Sequence, residues 1–400
     1  MTSLANVNAQ PKRILLIIRR LGMGGIERAT ITLANAMANA GHEVDLLVLK
    51  GTPELKPNPN VTVHYEDFER QARKTAKGLL FHILGRTVLK VLLPKSGFVW
   101  QGKMILPHFK RFLSSLEKEE GDFDLILIRG EGAYELLWNF QDQRCWLMIE
   151  AVVGRFKNRT VLPSWLLQKL YEGKNTVCVS HGIKQGYQDL LEEVKIHPAN
   201  VKVIYNAVPL QDIRKHSQAP HTPHFDQPYL LHVARLVPEK GPTLLIEAYH
   251  RARKNGIKAP LVIIGDGSEK PKLKEMVKQL ALSEHVHFIG MKSNPYPWMA
   301  NASALIISSN FEGLGLVLIE ANALGTQCIA TDVPGGIREV LIEEQRELIA
   351  EHNAQSLAQK MQQALEHPIS IKPEWADRFS EETIVPQFIS LIESSDSVLH

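Results

Sequence analysis

The chain has 400 residues, 44% hydrophobic and 22% charged, with 46 Lys+Arg against 43 Asp+Glu and a formal charge of +3. That length exceeds the usual size of one hydrophobic core and predicts two domains of about 200 residues each. Cys145, Cys178 and Cys328 are too few and too scattered for a disulfide framework or a zinc site, which favours a reducing cytosol. Residues 14–18 form an apolar run flanked by basic pairs, far short of the roughly 18 residues that span a bilayer, and the polar residues 1–10 do not read as a signal peptide.

Short β-branched runs alternate with helical-period segments, the pattern of parallel α/β units. Residues 14–18, 43–49, 125–128, 147–150, 177–180 and 201–205 predict the strands of a first sheet. Residues 229–233, 261–264, 286–289, 305–307 and 328–331 predict a second. Residues 209–228, rich in His, Pro and Gln from Gln211 on and without apolar periodicity, read as the linker between a domain at 1–208 and one at 229–372. The charge divides along the same line. Up to Val208 there are 28 Lys+Arg and 20 Asp+Glu, whereas the remainder has 18 and 23, so the halves are expected to meet different partners.

After the first strand comes Gly22-Met-Gly24-Gly25-Ile-Glu27, whose glycines let a backbone approach phosphate at a helix start. A tight turn without a ligand and an NAD-type site are the competing readings, although Glu27 stands where the third glycine of Gly-x-Gly-x-x-Gly would be. Residues 70–118 hold eleven Lys+Arg and the single acidic Glu117, with Phe81, Phe98, Trp100, Phe109 and Phe112 interleaved. Here Leu80, Ile83, Leu84, Val88, Val91 and Leu92 share one helical face and His82, Arg86 and Lys90 the other. That pattern suits an interfacial helix on anionic lipid or a phosphate-bearing acceptor, with Arg86, Lys90, Lys110 and Arg111 as contacts. A solvated basic face and a nucleic-acid surface are the alternatives; no nucleic-acid motif appears, and none is expected as partner.

In the second half, Arg235 and Lys240 follow a strand and precede a helix, where two cations could neutralise a departing diphosphate without a metal. Residues 310–320 read Asn-Phe-Glu312-Gly-Leu314-Gly315-Leu316-Val-Leu-Ile-Glu320. Glu312 falls on a loop and Glu320 inside the following apolar helix, where an unpaired carboxylate is costly and needs donors. Both can converge with free helix amides on a ligand carrying hydroxyls and phosphate.

Gly24-Gly25-Ile-Glu27, Arg235 with Lys240-Gly241, and Glu312 with Glu320 together resemble the family 4 glycosyltransferases, well over residues 176–340 and weakly over the first fifty. The resemblance implies the GT-B form of α/β fold: two doubly wound Rossmann-like domains facing each other across a cleft, with a C-terminal helix at 373–400 crossing back to the first. It implies a metal-independent, retaining transfer from a nucleotide-sugar, a UDP-sugar, with no cofactor. Arg235 and Lys240 would hold both phosphates, Glu312 would contact the donor sugar, Glu320 the ribose hydroxyls, and the amides of Gly315 and Leu316 the phosphate. Gly24 and Gly25 would lie under the sugar-phosphate, and the backbone at Gly265, Gly290 and Met291 against the base. Leu314 stands where the family commonly has Phe, which bears on sugar selectivity, and Asn206-Ala207-Val208 replaces a hinge Asn-Gly-Val. Glu27, Glu131 and Glu150 are candidates to orient or deprotonate the acceptor. By family habit the acceptor is a glycan or glycolipid of lipopolysaccharide, capsule or lipid-linked oligosaccharide assembly, met by a monomeric enzyme on the cytoplasmic face of a bacterial inner membrane. An inactive sugar-nucleotide-binding subunit and a GT-B epimerase are the alternatives.

Overall fold

A computed structural model describes residues 10–22, 24–51, 53–87, 96–151, 155–156, 159–160, 162–220 and 222–396. The chain divides into two compact units. The first holds the residues up to Val179, with Lys184–Ala207 and the chain from Ile384 on; the second holds Val208–Thr383 with Ser180–Ile183.

The first unit is built on seven parallel strands in the order β3-β2-β1-β4-β5-β8-β9. These are β1 (Arg13–Ile18), β2 (Glu43–Val48), β3 (Val61–Tyr65), β4 (Leu125–Arg129), β5 (Cys145–Ile149), β8 (Asn175–Cys178) and β9 (Asn200–Val203), with a separate hairpin of β6 (Arg155–Phe156) and β7 (Arg159–Thr160). Its central strands are near-continuous apolar runs because both faces are covered: Ile14, Leu15, Leu16 and Ile17 have no exposed surface. The edge strand β3 escapes the sequence reading for the opposite reason. Of its five residues only Val61 is buried, so no apolar run marks it.

The second unit has six parallel strands in the order β12-β11-β10-β13-β14-β15. They are β10 (Leu230–Val233), β11 (Leu261–Ile264), β12 (Val286–Gly290), β13 (Ala304–Ile307), β14 (Cys328–Thr331) and β15 (Ile349–Ala350). One face carries a core in which Leu230, Leu261, Ile263, Ile306 and Ile329 meet Leu245 and Tyr249 of helix Pro242–Lys254 and Leu357 and Met361 of helix Ala354–Glu366. In each sheet the strand order reverses once, between β1 and β4 and between β10 and β13, and doubly wound sheets bind ligands at the carboxyl ends of such strands.

Three expectations change. The 209–228 segment is not all linker: Leu210–His216 is a helix whose Leu210 and Ile213 are buried and whose Arg214 donates to the Ala323 carbonyl. Two buried apolar residues in seven are too few to register as a period. The C-terminal segment is not one helix either, for Glu374–Asp377 ends before Glu381–Asp396 begins. Between them the Phe379 carbonyl accepts the Val208 amide and Ser380 Oγ accepts the Thr383 amide, bonds that a continuous helix would forbid. Third, the aromatics of 70–118 divide. Phe98 and Phe109, on helix Gly97–Glu120, are core residues, and Phe68 stacks edge-on with both Phe109 and Phe112. That helix turns its apolar stripe inward and leaves Lys110 and Arg111 exposed. In helix Ala76–Arg86, by contrast, Leu79, Leu80 and Ile83 are about half exposed. Lys90, Val88, Val91 and Leu92 lie outside the described residues, as does the side chain of Arg86.

Candidate active site

The two loops at the β10/β13 switch point carry the second unit's motifs. After β10, the Leu236 amide donates to the Asp266 carbonyl at 2.9 Å and the Leu236 side chain is buried, which anchors the loop while Arg235 beside it is exposed. Among the described residues the Arg235 guanidinium has no ion-pair partner. A short turn, Pro238–Lys240, then leads to Gly241, whose φ of 58° is left-handed and whose Cβ, if present, would stand 2.0 Å from the Ser308 carbonyl. Only glycine allows this approach of the two loops.

From the other loop, Asn310 clasps the first: its amide donates to the Glu239 carbonyl at 2.9 Å and its Nδ2 to the Pro238 carbonyl at 2.7 Å. Lys240 Nζ and Ser309 Oγ both donate to Glu312 Oε1, each at 2.6 Å. The described bonds to the Glu312 carboxylate all fall on Oε1. Glu312 is itself 8% exposed, which makes these charge-assisted bonds strong and fixes the carboxylate in one orientation. Helix Leu316–Ala323 begins directly after, with Gly315 at φ 86° as its cap and no side chain closing its N-terminus. Glu320 is half-buried on its second turn.

Gly265 and Gly290 come together, the Gly265 amide donating to the Gly290 carbonyl at 3.0 Å at the tips of β11 and β12, and Met291 beyond them is exposed. Asp266 is occupied locally. Lys270 and the Gly267 amide both bond its carboxylate and hold its pKa below the usual range. Under the site, His232 of β10 is fully buried, bonded through Nδ1 to the Ile306 carbonyl at 2.8 Å and pushed by burial to a pKa of about 4, so it is a neutral strut.

In the first unit, Gly24 caps helix Gly25–Asn39 and the Glu27 carboxylate folds back upon it: a Cβ on Gly24 would lie 2.2 Å from Glu27 Oε2. Glu150 is not a free carboxylate. Its Oε1 accepts from Arg129 Nε at 2.9 Å and Nη2 at 2.5 Å, and Arg129, with no exposed surface, also bonds Asn206 Oδ1 and the Ala29 carbonyl. Glu131 opens helix Glu131–Leu136, and desolvation raises its pKa. Four residues on, Glu135 is raised to about 7 by burial and by the Glu131 charge, with Arg19 opposing. Sequence reasoning missed Ser309, Arg129 and Glu135. The first two act through partners 3 and 21 residues away in loops and strands, where no period exposes them. The i, i+4 spacing of Glu131 and Glu135 was the one available signal.

Two family models match this chain: "Glycosyl transferases group 1" over residues 214–384 and "Glycosyltransferase Family 4" over residues 23–212. The chain belongs to the family 4 glycosyltransferases, with the GT-B fold. Among similar proteins, the N-acetylgalactosamine-N,N'-diacetylbacillosaminyl-diphospho-undecaprenol 4-alpha-N-acetylgalactosaminyltransferase of Campylobacter jejuni is 34% identical over 52% of this chain and 55% of its own length. The match thus spans about half of that relative. The lipopolysaccharide core biosynthesis glycosyltransferase LpsE of Rhizobium meliloti is 26% identical over 91% of this chain and 92% of its own. A glycosyltransferase structure from Rickettsia africae superimposes with a TM-score of 0.69 at 20% identity, covering 97% of this chain and 99% of that one. Anabaena HepE, solved with UDP and glucose, gives 0.64 at 18%, covering 96% and 100%.

Proposed function

We propose that this glycosyltransferase moves a sugar from a UDP-sugar to a hydroxyl of a lipid-linked or phosphate-bearing glycan, with retention at the anomeric carbon and without a metal. The carrying observation is the convergence of Lys240 and Ser309 on one oxygen of Glu312, with Lys240 on the same loop as the exposed Arg235. Arg235 and Lys240 bind the donor diphosphate and stabilise the charge that grows on it as the glycosidic bond breaks, the role a metal would otherwise fill. Glu312 Oε2 orients the donor sugar, and Glu320 receives the ribose hydroxyls. The leaving phosphate accepts the acceptor's proton, for Glu150 is committed to Arg129.

UDP as the nucleotide rests on HepE having been solved with it, and the lipid-linked acceptor on the named activity of the Campylobacter relative. No helix among the described residues is long and apolar enough to cross a membrane. The exposed Leu79, Leu80 and Ile83, in a basic stretch, support peripheral docking on the cytoplasmic face of a membrane. The test is UDP release from a panel of UDP-sugars with an undecaprenyl-diphosphate-linked sugar as acceptor, with and without EDTA, and NMR of the product anomer. Release that needs acceptor, survives EDTA and gives the donor's anomeric configuration supports the reading. No release with any donor returns the chain to a binding subunit, release of a changed sugar makes it an epimerase, and loss with EDTA removes the metal-free assignment.

A further inference from the structure

The first unit contains a cavity of about 430 Å³ at the end of its sheet opposite the strand tips that carry Gly24 and Glu150. Its mouth opens at the starts of β5, β8 and β9, and it runs inward between helices Glu131–Leu136 and Ser164–Tyr171. Tyr134, Leu137, Trp138 and Leu170 form its walls. The volume lies within the range of small-molecule sites, and the lining joins these apolar walls to the polar Gln141, Asp142, Gln143, Lys174, Asn175 and Asn200.

Two charged groups border the mouth, and they differ. Asp142 is neutralised, since Arg144 bonds it through Nε at 2.9 Å and Nη2 at 2.7 Å. Lys174 is half-buried and, among the described residues, its ammonium meets only the Phe140 carbonyl, with no carboxylate in ion-pair range. A desolvated cation without a counter-charge is unfavourable, and an anion at the mouth relieves it. The burial that lowers the Lys174 pKa is the same penalty seen from the proton's side.

We propose that this cavity binds an amphipathic monoanion of the fatty-acid kind, its carboxylate on Lys174 and its chain between Tyr134, Leu137 and Leu170. The site is independent of the donor reading. Charge selects the head group, while the volume of the cavity limits the chain it can take.

The experiment is calorimetric titration of the full chain with octanoate and, in parallel, with octanol, using wild type, Lys174→Met and Leu137→Trp. Wild type should bind one octanoate saturably, with octanol at least tenfold weaker. Lys174→Met should abolish that discrimination by weakening octanoate to the level of octanol. Leu137→Trp, which fills the cavity, should weaken both. Absence of saturable octanoate binding, or octanoate binding unchanged in Lys174→Met, overturns the proposal, and that variant decides alone if Leu137→Trp does not fold. UDP titrated into the same samples should be unaffected by either substitution; a parallel loss of UDP binding would signal misfolding of the whole chain rather than a lost site.

Discussion

The two sheets share a topology but treat charge at their strand tips in opposite ways. At the β10/β13 switch point of the second sheet, a cation, a hydroxyl and a carboxylate neutralise one another across two loops that glycine brings together. At the tips of the first sheet, Arg129 and Glu150 are locked in a buried pair, while Glu131 and Glu135 crowd like charges on a six-residue helix. The lesson concerns preorganisation. The second unit fixes the Glu312 carboxylate with two donors, whereas the first, among the described residues, leaves Glu135 without one and with its pKa raised to about 7 by burial and the Glu131 charge.

The largest expected effect comes from breaking the buried pair. Arg129→Ala leaves Glu150 facing an uncompensated cavity and should destabilise the fold by about 3–5 kcal/mol, read from urea midpoints, whereas Arg235→Ala, at an exposed position, should leave them unchanged. If both variants unfold alike, the contrast between structural and ligand-directed arginines is wrong. Next, Lys240→Ala should lower kcat by about 10²–10³ with a smaller change in donor KM, because leaving-group charge is greatest in the transition state. A change confined to KM would restrict Lys240 to ground-state binding.

Glu320→Ala should weaken UDP binding by about 1.5–3 kcal/mol if its carboxylate accepts ribose hydrogen bonds, and calorimetry with unchanged affinity would remove that role. A smaller effect tests the raised carboxyl of Glu135. Glu135 titrates near 7 instead of 4.5, so the folded chain holds that proton more tightly than the unfolded one; its contribution is present below about pH 4.5 and is lost as pH rises through 7. Glu135→Gln should therefore flatten the decline in stability between pH 5 and 8 by about 1 kcal/mol, a figure reduced for partial exposure. Glu381, also raised to about 7, has the same sign and remains in the variant. Smallest per residue, Lys110→Glu and Arg111→Glu should each cost about 1 kcal/mol of affinity for anionic vesicles at low salt and nothing for neutral ones. Equal co-sedimentation with wild type would return these residues to a solvated face.

Eight of the eleven strand runs expected from periodicity agree with the observed strands to within one residue at one end, because a parallel strand covered on both faces must be apolar from end to end. The other three, 147–150, 177–180 and 201–205, lie one or two residues too far along the chain: the strands are Cys145–Ile149, Asn175–Cys178 and Asn200–Val203, with Glu150 just outside the first. What lacked such a run went unseen: the edge strand β3, the two-residue β15 and the helix at Leu210–His216. That Arg235 and Lys240 fall on the loop after β10, and Glu312, Gly315 and Glu320 on the loop and helix after β13, was likewise legible, since each lies at a short offset from a strand end. Their partners were not. That Ser309 shares Oε1 of Glu312 with Lys240, that Arg129 occupies Glu150, and that Phe109 faces the core while Leu80 faces outward are decided by contacts between segments far apart in the chain. Periodicity records which residues avoid water, and motif spacing records which chemistry a loop can offer. Which charge meets which, and hence which carboxylate is free, depends on distances of a few ångströms that only the packed chain sets.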